Sequence, residues 1–277
     1  MNNFYCGLHF LVALADASSE TLKQWENIHS NDDLVSSESG TIRLVRTACK
    51  AVQPRCSQKA GCHVMFKAYL KLKGVSDFPL ATFEGNRFNI VFYNAAGVYY
   101  LRAHLIRYLE EVHHTKNKLL QSVLRDLKHP LYLVGCNALG IVRKCITSPL
   151  WRILESRINM SVLCVEYQNM QKQLQEWSSD ISSLLSGKGL KEIDTSESVC
   201  YELLHNIDNR ELLSELLQML CKSYSMVAER LLGDHMSDGV HGTAPAAMLD
   251  RETESVPKTN CRSERDFAVL DRWVTSV

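Results

Sequence analysis

Apolar residues return every three to four positions through most of this chain, while strict alternation of apolar and polar residues is scarce. That periodicity is the signature of helices that bury one face, so the fold class it predicts is mostly α. The first instance is Phe4, Leu8, Leu11, Val12 and Ala15, which share one face of a helix running to about Trp25. Further helices are expected over 41–52, from Met65 to Gly74, over 88–112, 116–127, 132–146, 151–185 (as two helices or one with a bend), 196–204 and 209–232. In the 88–112 segment, Ile90 to Tyr93 would also suit a strand, but the length of the helical pattern decides for helix, with Gly97 weakening it by ~1 kcal/mol.

The breakers lie between these segments. Residues 27–40 read as a loop, 54–61 as a turn-rich connection, and Asp77-Phe78-Pro79, His129-Pro130, Pro149 and Ser186-Gly187-Lys188-Gly189 as punctuation. Gly233 is placed to close the last long helix as a C-cap. Three parts are therefore expected: a helical domain over 1–233, a mobile loop over 234–253, and a C-terminal piece over 254–277. In that piece Val256 to Asn260 is short and extended, and Ser263 caps a helix carrying Phe267, Leu270 and Trp273 on one face.

At 277 residues and 45% apolar composition the chain can build a real core. Its 31 Lys plus Arg balance 31 Asp plus Glu, so the global basic signature of a nucleic-acid binder is absent and any DNA contact has to be a local patch. The ten cysteines are scattered along a chain too long to be a disulfide miniprotein, which predicts reduced thiols and a cytoplasmic or nuclear setting. The start lacks a basic, then apolar, leader pattern, and no apolar run reaches the ~18 residues of a membrane span, so no membrane partner is expected.

Three short patterns carry the chemistry: Cys6-Gly7-Leu8-His9, Arg87-Phe88-Asn89 and Ser263-Glu264-Arg265-Asp266-Phe267. In this order and at these separations they resemble the marks of the hAT family of cut-and-paste DNA transposases. There, a Cys-x-x-His opens a helical insertion, an Arg-Trp-Asn lies within it, and a Ser-Glu-Arg-x-Phe carries the last metal-binding carboxylate of a ribonuclease-H-like core. The resemblance implies a helical insertion-type domain with a partial remnant of that core at the C-terminus.

By the same resemblance, Glu264 is the catalytic carboxylate, Arg87, Phe88 and Asn89 contact DNA, and Cys6 and His9 support the junction between insertion and core. Phe88 departs from the family's tryptophan, keeping a stacking face but losing the indole N–H donor. The family's first two aspartates precede the Cys-x-x-His, and five residues precede Cys6 here. Two-metal chemistry needs several carboxylates around ions roughly 3.5–4 Å apart, so the expectation is a fragment or relic that is not an enzyme. Mg²⁺ is the cofactor of the intact family only, and none is expected here.

Read from the residues alone, each pattern has a plainer meaning. Cys6 and His9 suit a small apolar cysteine beside a half-buried histidine, Phe88 a core position, and Glu264 a first-turn acid on a helix dipole. Cys49, Cys56, Cys62 and His63 match no zinc spacing and read as ordinary loop and helix residues. There is no phosphate-cradling glycine loop and no nucleophile elbow. DNA, a second copy or another protein are the partners expected, with a helical scaffold lacking any nucleic-acid role as the rival reading.

Overall fold

The computed structural model describes residues 7–30, 37–52, 61–83, 89–112 and 117–255, and among these every regular element is helical. The helices are α1 (Gly7–His29), α2 (Gly40–Val52), α3 (His63–Leu72), α4 (Ile90–Arg107), α5 (Lys118–Leu127) and α6 (Pro130–Val142). There follow α7 (Ser148–Glu155), α8 (Met160–Ser179), α9 (Ser182–Leu185), α10 (Ser198–His205), α11 (Arg210–Leu232) and α12 (Ala246–Glu252). Helix α4 runs on into a π-helical turn, Tyr108–Val112, and α6 into another, Arg143–Thr147.

Helix α6 is the centre of the arrangement. Every residue from Val134 to Val142 is buried, and a helix apolar on all sides has to be surrounded by others. It packs on α4, where a Cβ at Gly140 would lie 3.1 Å from the Ala96 Cα, and it also meets α1, α2, α10 and α11. Helix α11 lies between α1 and α8, and α2 packs on α5. Trp25, Phe10, Phe66, Phe92, Tyr99 and Tyr224 are almost wholly buried in the core, each such side chain contributing roughly 1.5–3 kcal/mol.

Side-chain polar contacts fix the register of the packed helices. Ser18 Oγ and Tyr224 OH, 2.6 Å apart, join α1 to α11. Arg43 grips the buried Asp126 with two hydrogen bonds of 2.9 and 3.2 Å and joins α2 to α5. Asn117 and Asn209 cap α5 and α11 by accepting from Leu119 N and Leu212 N. The segment around Phe78-Pro79 crosses α4 at Gly97, where a Cβ would stand 1.9 Å from the Pro79 carbonyl oxygen. Glycine is thus placed by a close approach, at the expense of helix propensity.

Gly233 follows the last residue of α11 as its C-cap, as expected, with a right-handed φ of −51°, and the chain continues into a 3-10 turn, Gly233–His235. One expectation is corrected. The residues expected as a loop over 234–253 contain α12, whose Leu249 is buried, and α12 packs on α8. Asp250 there accepts from Ser161 N at 2.9 Å and Ser161 Oγ at 2.8 Å, closing the first turn of α8. The extended piece at Val256, the helix from Ser263 and the ribonuclease-H-like remnant lie outside the described residues. Among the described residues no helix is long and apolar enough to cross a membrane.

Candidate functional site

Pro149 organises the site from a distance. Having no N–H, it cannot close a helical bond to the residue four before it, and its ring crowds that residue's carbonyl, Cys145. The backbone widens there into the π turn Arg143–Thr147, and the freed Cys145 oxygen accepts instead from Leu190 N at 2.8 Å. π turns of this kind often mark functional positions. Gly189 makes the contact feasible, because a Cβ at that position would lie 2.8 Å from the Cys145 oxygen and 3.0 Å from its Cα.

At the first residue of that turn, Arg143 lays its guanidinium over the Tyr93 ring of α4, 4.4 Å from the ring centre. The two residues border a cleft of about 410 Å³ that is also lined by Ala81, Asn89, Ser148, Trp151 and Arg152. Burial pulls the Arg143 pKa below the ordinary guanidinium value, and the charge of Arg152 adds to this, while Tyr93 and Glu197 act in the opposite direction. Glu197 does not neutralise Arg143: its Oε2 is taken by Lys144 Nζ at 2.5 Å and Cys200 N at 2.9 Å. Among the described residues Arg143 has no carboxylate within ion-pair distance.

Asn89 stands at the mouth of α4 with φ 64° and ψ 0°, the one described non-glycine residue in the left-handed region. Asparagine tolerates that region better than most residues. Its side chain does not cap α4, and its Oδ1 is buried without a hydrogen-bond partner among the described residues. Two guanidinium groups, two aromatic rings and an amide therefore converge on one cleft. This is the chemistry that holds an anion next to a flat ring.

The structure brings one residue of the Arg87-Phe88-Asn89 pattern, Asn89, into this cleft; Arg87 and Phe88 lie outside the described residues. Glu264 and Cys6 also lie outside them. His9 falls in the first turn of α1 and is exposed, where the sequence suggested half-burial. Sequence reasoning missed Arg143, Arg152, Tyr93 and Trp151. The available signal was Ser148-Pro149 inside an otherwise helical pattern, which marks a disturbed turn.

Two cysteine clusters resolve as packing. Cys49 and Cys62 are core residues, burial pushing the Cys49 thiol up to about 12, and His63 Nδ1 lies 2.6 Å from the Val52 carbonyl; Cys56 lies outside the described residues. No disulfide joins the described cysteines. Cys164 Sγ lies 3.3 Å from His235 Nδ1, with both residues buried. Burial raises the thiol to about 11 and lowers the imidazole to about 4, so the pair is neutral and lacks the thiolate of a reactive cysteine.

The fold class these residues define is all-α, with a basic aromatic cleft between α4 and the α6–α7 turn. Comparisons with protein-family models, with curated proteins and with solved structures give no match.

Proposed function

We propose that this chain is a transposase-derived helical protein that associates with DNA through the Arg143–Arg152 cleft and does not itself cut or join strands. The observation that carries the reading is Arg143: a half-buried guanidinium stacked on Tyr93, with no carboxylate in ion-pair distance among the described residues and Arg152 beside it. Such a pair suits a phosphate, and the Tyr93 and Trp151 rings give a face to an unpaired base. Asn89 ties the cleft to the pattern that resembles the family's DNA-contacting residues. The proposed lack of catalysis rests on Glu264, the single carboxylate that the resemblance matches.

The test is fluorescence anisotropy of labelled single-stranded, hairpin and duplex oligonucleotides against the full chain over a range of salt. Binding should favour unpaired segments. Arg143→Gln and Arg152→Gln should each weaken it and flatten the salt dependence by roughly one unit of slope. Equal affinity in wild type and the double variant would remove the cleft from nucleic-acid binding.

A further inference from the structure

The charge balance of the whole chain conceals a local imbalance. From Ser39 to Ser76 there is no Asp or Glu, and eight Lys and Arg residues fall in this stretch. Two of them are paired within the fold, Arg43 with Asp126 and Arg46 with Glu38. Lys67 and Lys71 on α3, and Lys73 just after it, are exposed and make no ion pair among the described residues. The His104 pKa is depressed by burial first and then by the charges of Arg107 and Lys73, so cations from α3 and α4 crowd together here.

Helix α3 turns Phe66, Tyr69 and Leu70 into the core. At 100° per residue the opposite side holds Val64, Ala68 and Leu72 in one line, with Met65 beside it and Lys67 and Lys71 along the other edge. Val64, Met65 and Leu72 are 73%, 57% and 86% exposed. An apolar stripe with a lysine border, about 12 Å long, has the dimensions of about two turns of a facing helix.

We infer that the outer face of α3 docks an amphipathic helix of a partner protein, one whose apolar stripe covers Val64, Leu72 and Met65 and whose acidic flank meets Lys67 and Lys71. Charge selects this occupant among the alternatives. A second copy would set one acid-free face against another. A phosphate backbone would satisfy the lysines and leave the apolar stripe in water. An anionic bilayer would meet only three large apolar side chains, too few to hold a short helix at the interface. The face shares no residue with the Arg143 cleft, so this inference stands apart from DNA binding.

The experiment is selection from a displayed library of helix-forming peptides with the full chain as bait and the Lys71→Glu/Leu72→Asp variant as counter-bait. Both substitutions are at exposed positions. Circular dichroism and thermal melting confirm that the variant folds, and Met65→Ser serves as an independent second variant. The expected result is enrichment of peptides with an apolar stripe flanked by Asp and Glu. These should bind wild type at least about tenfold tighter than either variant and weaken as salt rises. No enrichment, or peptides that bind wild type and variants equally, overturns the inference. So does loss, in the same variants, of binding to phosphatidylserine vesicles or duplex DNA while the library yields nothing, or loss of a wild-type dimer in sedimentation.

Discussion

Glu26 Oε1 accepts two hydrogen bonds from Thr41, from the backbone N–H at 2.9 Å and from the hydroxyl at 2.6 Å. Its second oxygen accepts from Gly40 N at 2.6 Å, and Ser39 Oγ donates to Oε1 at 2.8 Å. A carboxylate from the end of α1 thus closes the N-terminus of α2, where backbone N–H groups have no helical partner and the helix dipole favours negative charge.

Glu26→Ala should leave these buried donors unsatisfied and lower stability by about 2–4 kcal/mol in urea unfolding. Glu26→Gln keeps the shape and one acceptor, and its loss should be smaller. Equal stability of Glu26→Ala and wild type would show that water replaces the carboxylate at no cost.

Two glycines should respond oppositely to alanine. Gly189→Ala forces its new methyl against the Cys145 backbone, with an expected loss of about 1–3 kcal/mol. At Gly233, nothing lies within 4 Å of a Cβ and φ is −51°, so Gly233→Ala should be neutral or stabilise by up to about 1 kcal/mol. Thermal melting of the two variants beside wild type decides both.

His235 should make the fold acid-sensitive. Burial, reinforced by nearby His241, lowers its folded-state pKa to about 4, whereas the unfolded chain takes up the proton near the ordinary 6.5. The unfolded state therefore binds more protons between these values. The stability is complete above about pH 6.5 and is lost as pH falls toward 4, on the order of 2–3 kcal/mol. His104, also depressed by burial and by the charges of Arg107 and Lys73, acts in the same direction, so the quantity to measure is the difference in pH slope between wild type and His235→Gln. Identical slopes would place His235 in water.

Truncation after Gly233 should destabilise the helical body. It removes the buried Leu249, His235 and His241 and the Asp250 carboxylate that closes α8. Losing one buried leucine and one cap predicts about 3–4 kcal/mol. A truncated chain with an unchanged urea midpoint would mean that α12 rides on the body without supporting it.

The helices were legible in the sequence because burial of one face repeats locally. The Leu8, Leu11, Leu22 and Trp25 face of α1 needs no knowledge of α11 to be recognised. For the same reason Gly233 was legible as the end of α11, whereas its backbone conformation was not: only the 3-10 turn that follows shows that its φ stays negative. The basic stretch from Ser39 to Ser76 was also present in the sequence, hidden beneath a net charge of zero.

Sequence by itself determined that the chain is helical and roughly where most of its helices lie, since period and breakers are properties of neighbouring residues. It also singled out Asn89. Only the tertiary structure decided that Asn89 shares a cleft with Arg143, Tyr93 and Arg152, and that 246–252 folds onto α8. Those relations depend on a proline-widened turn, a carbonyl freed for Leu190 and the close approach of distant segments. Contacts of that kind join residues whose sequence separation leaves no local periodicity to read.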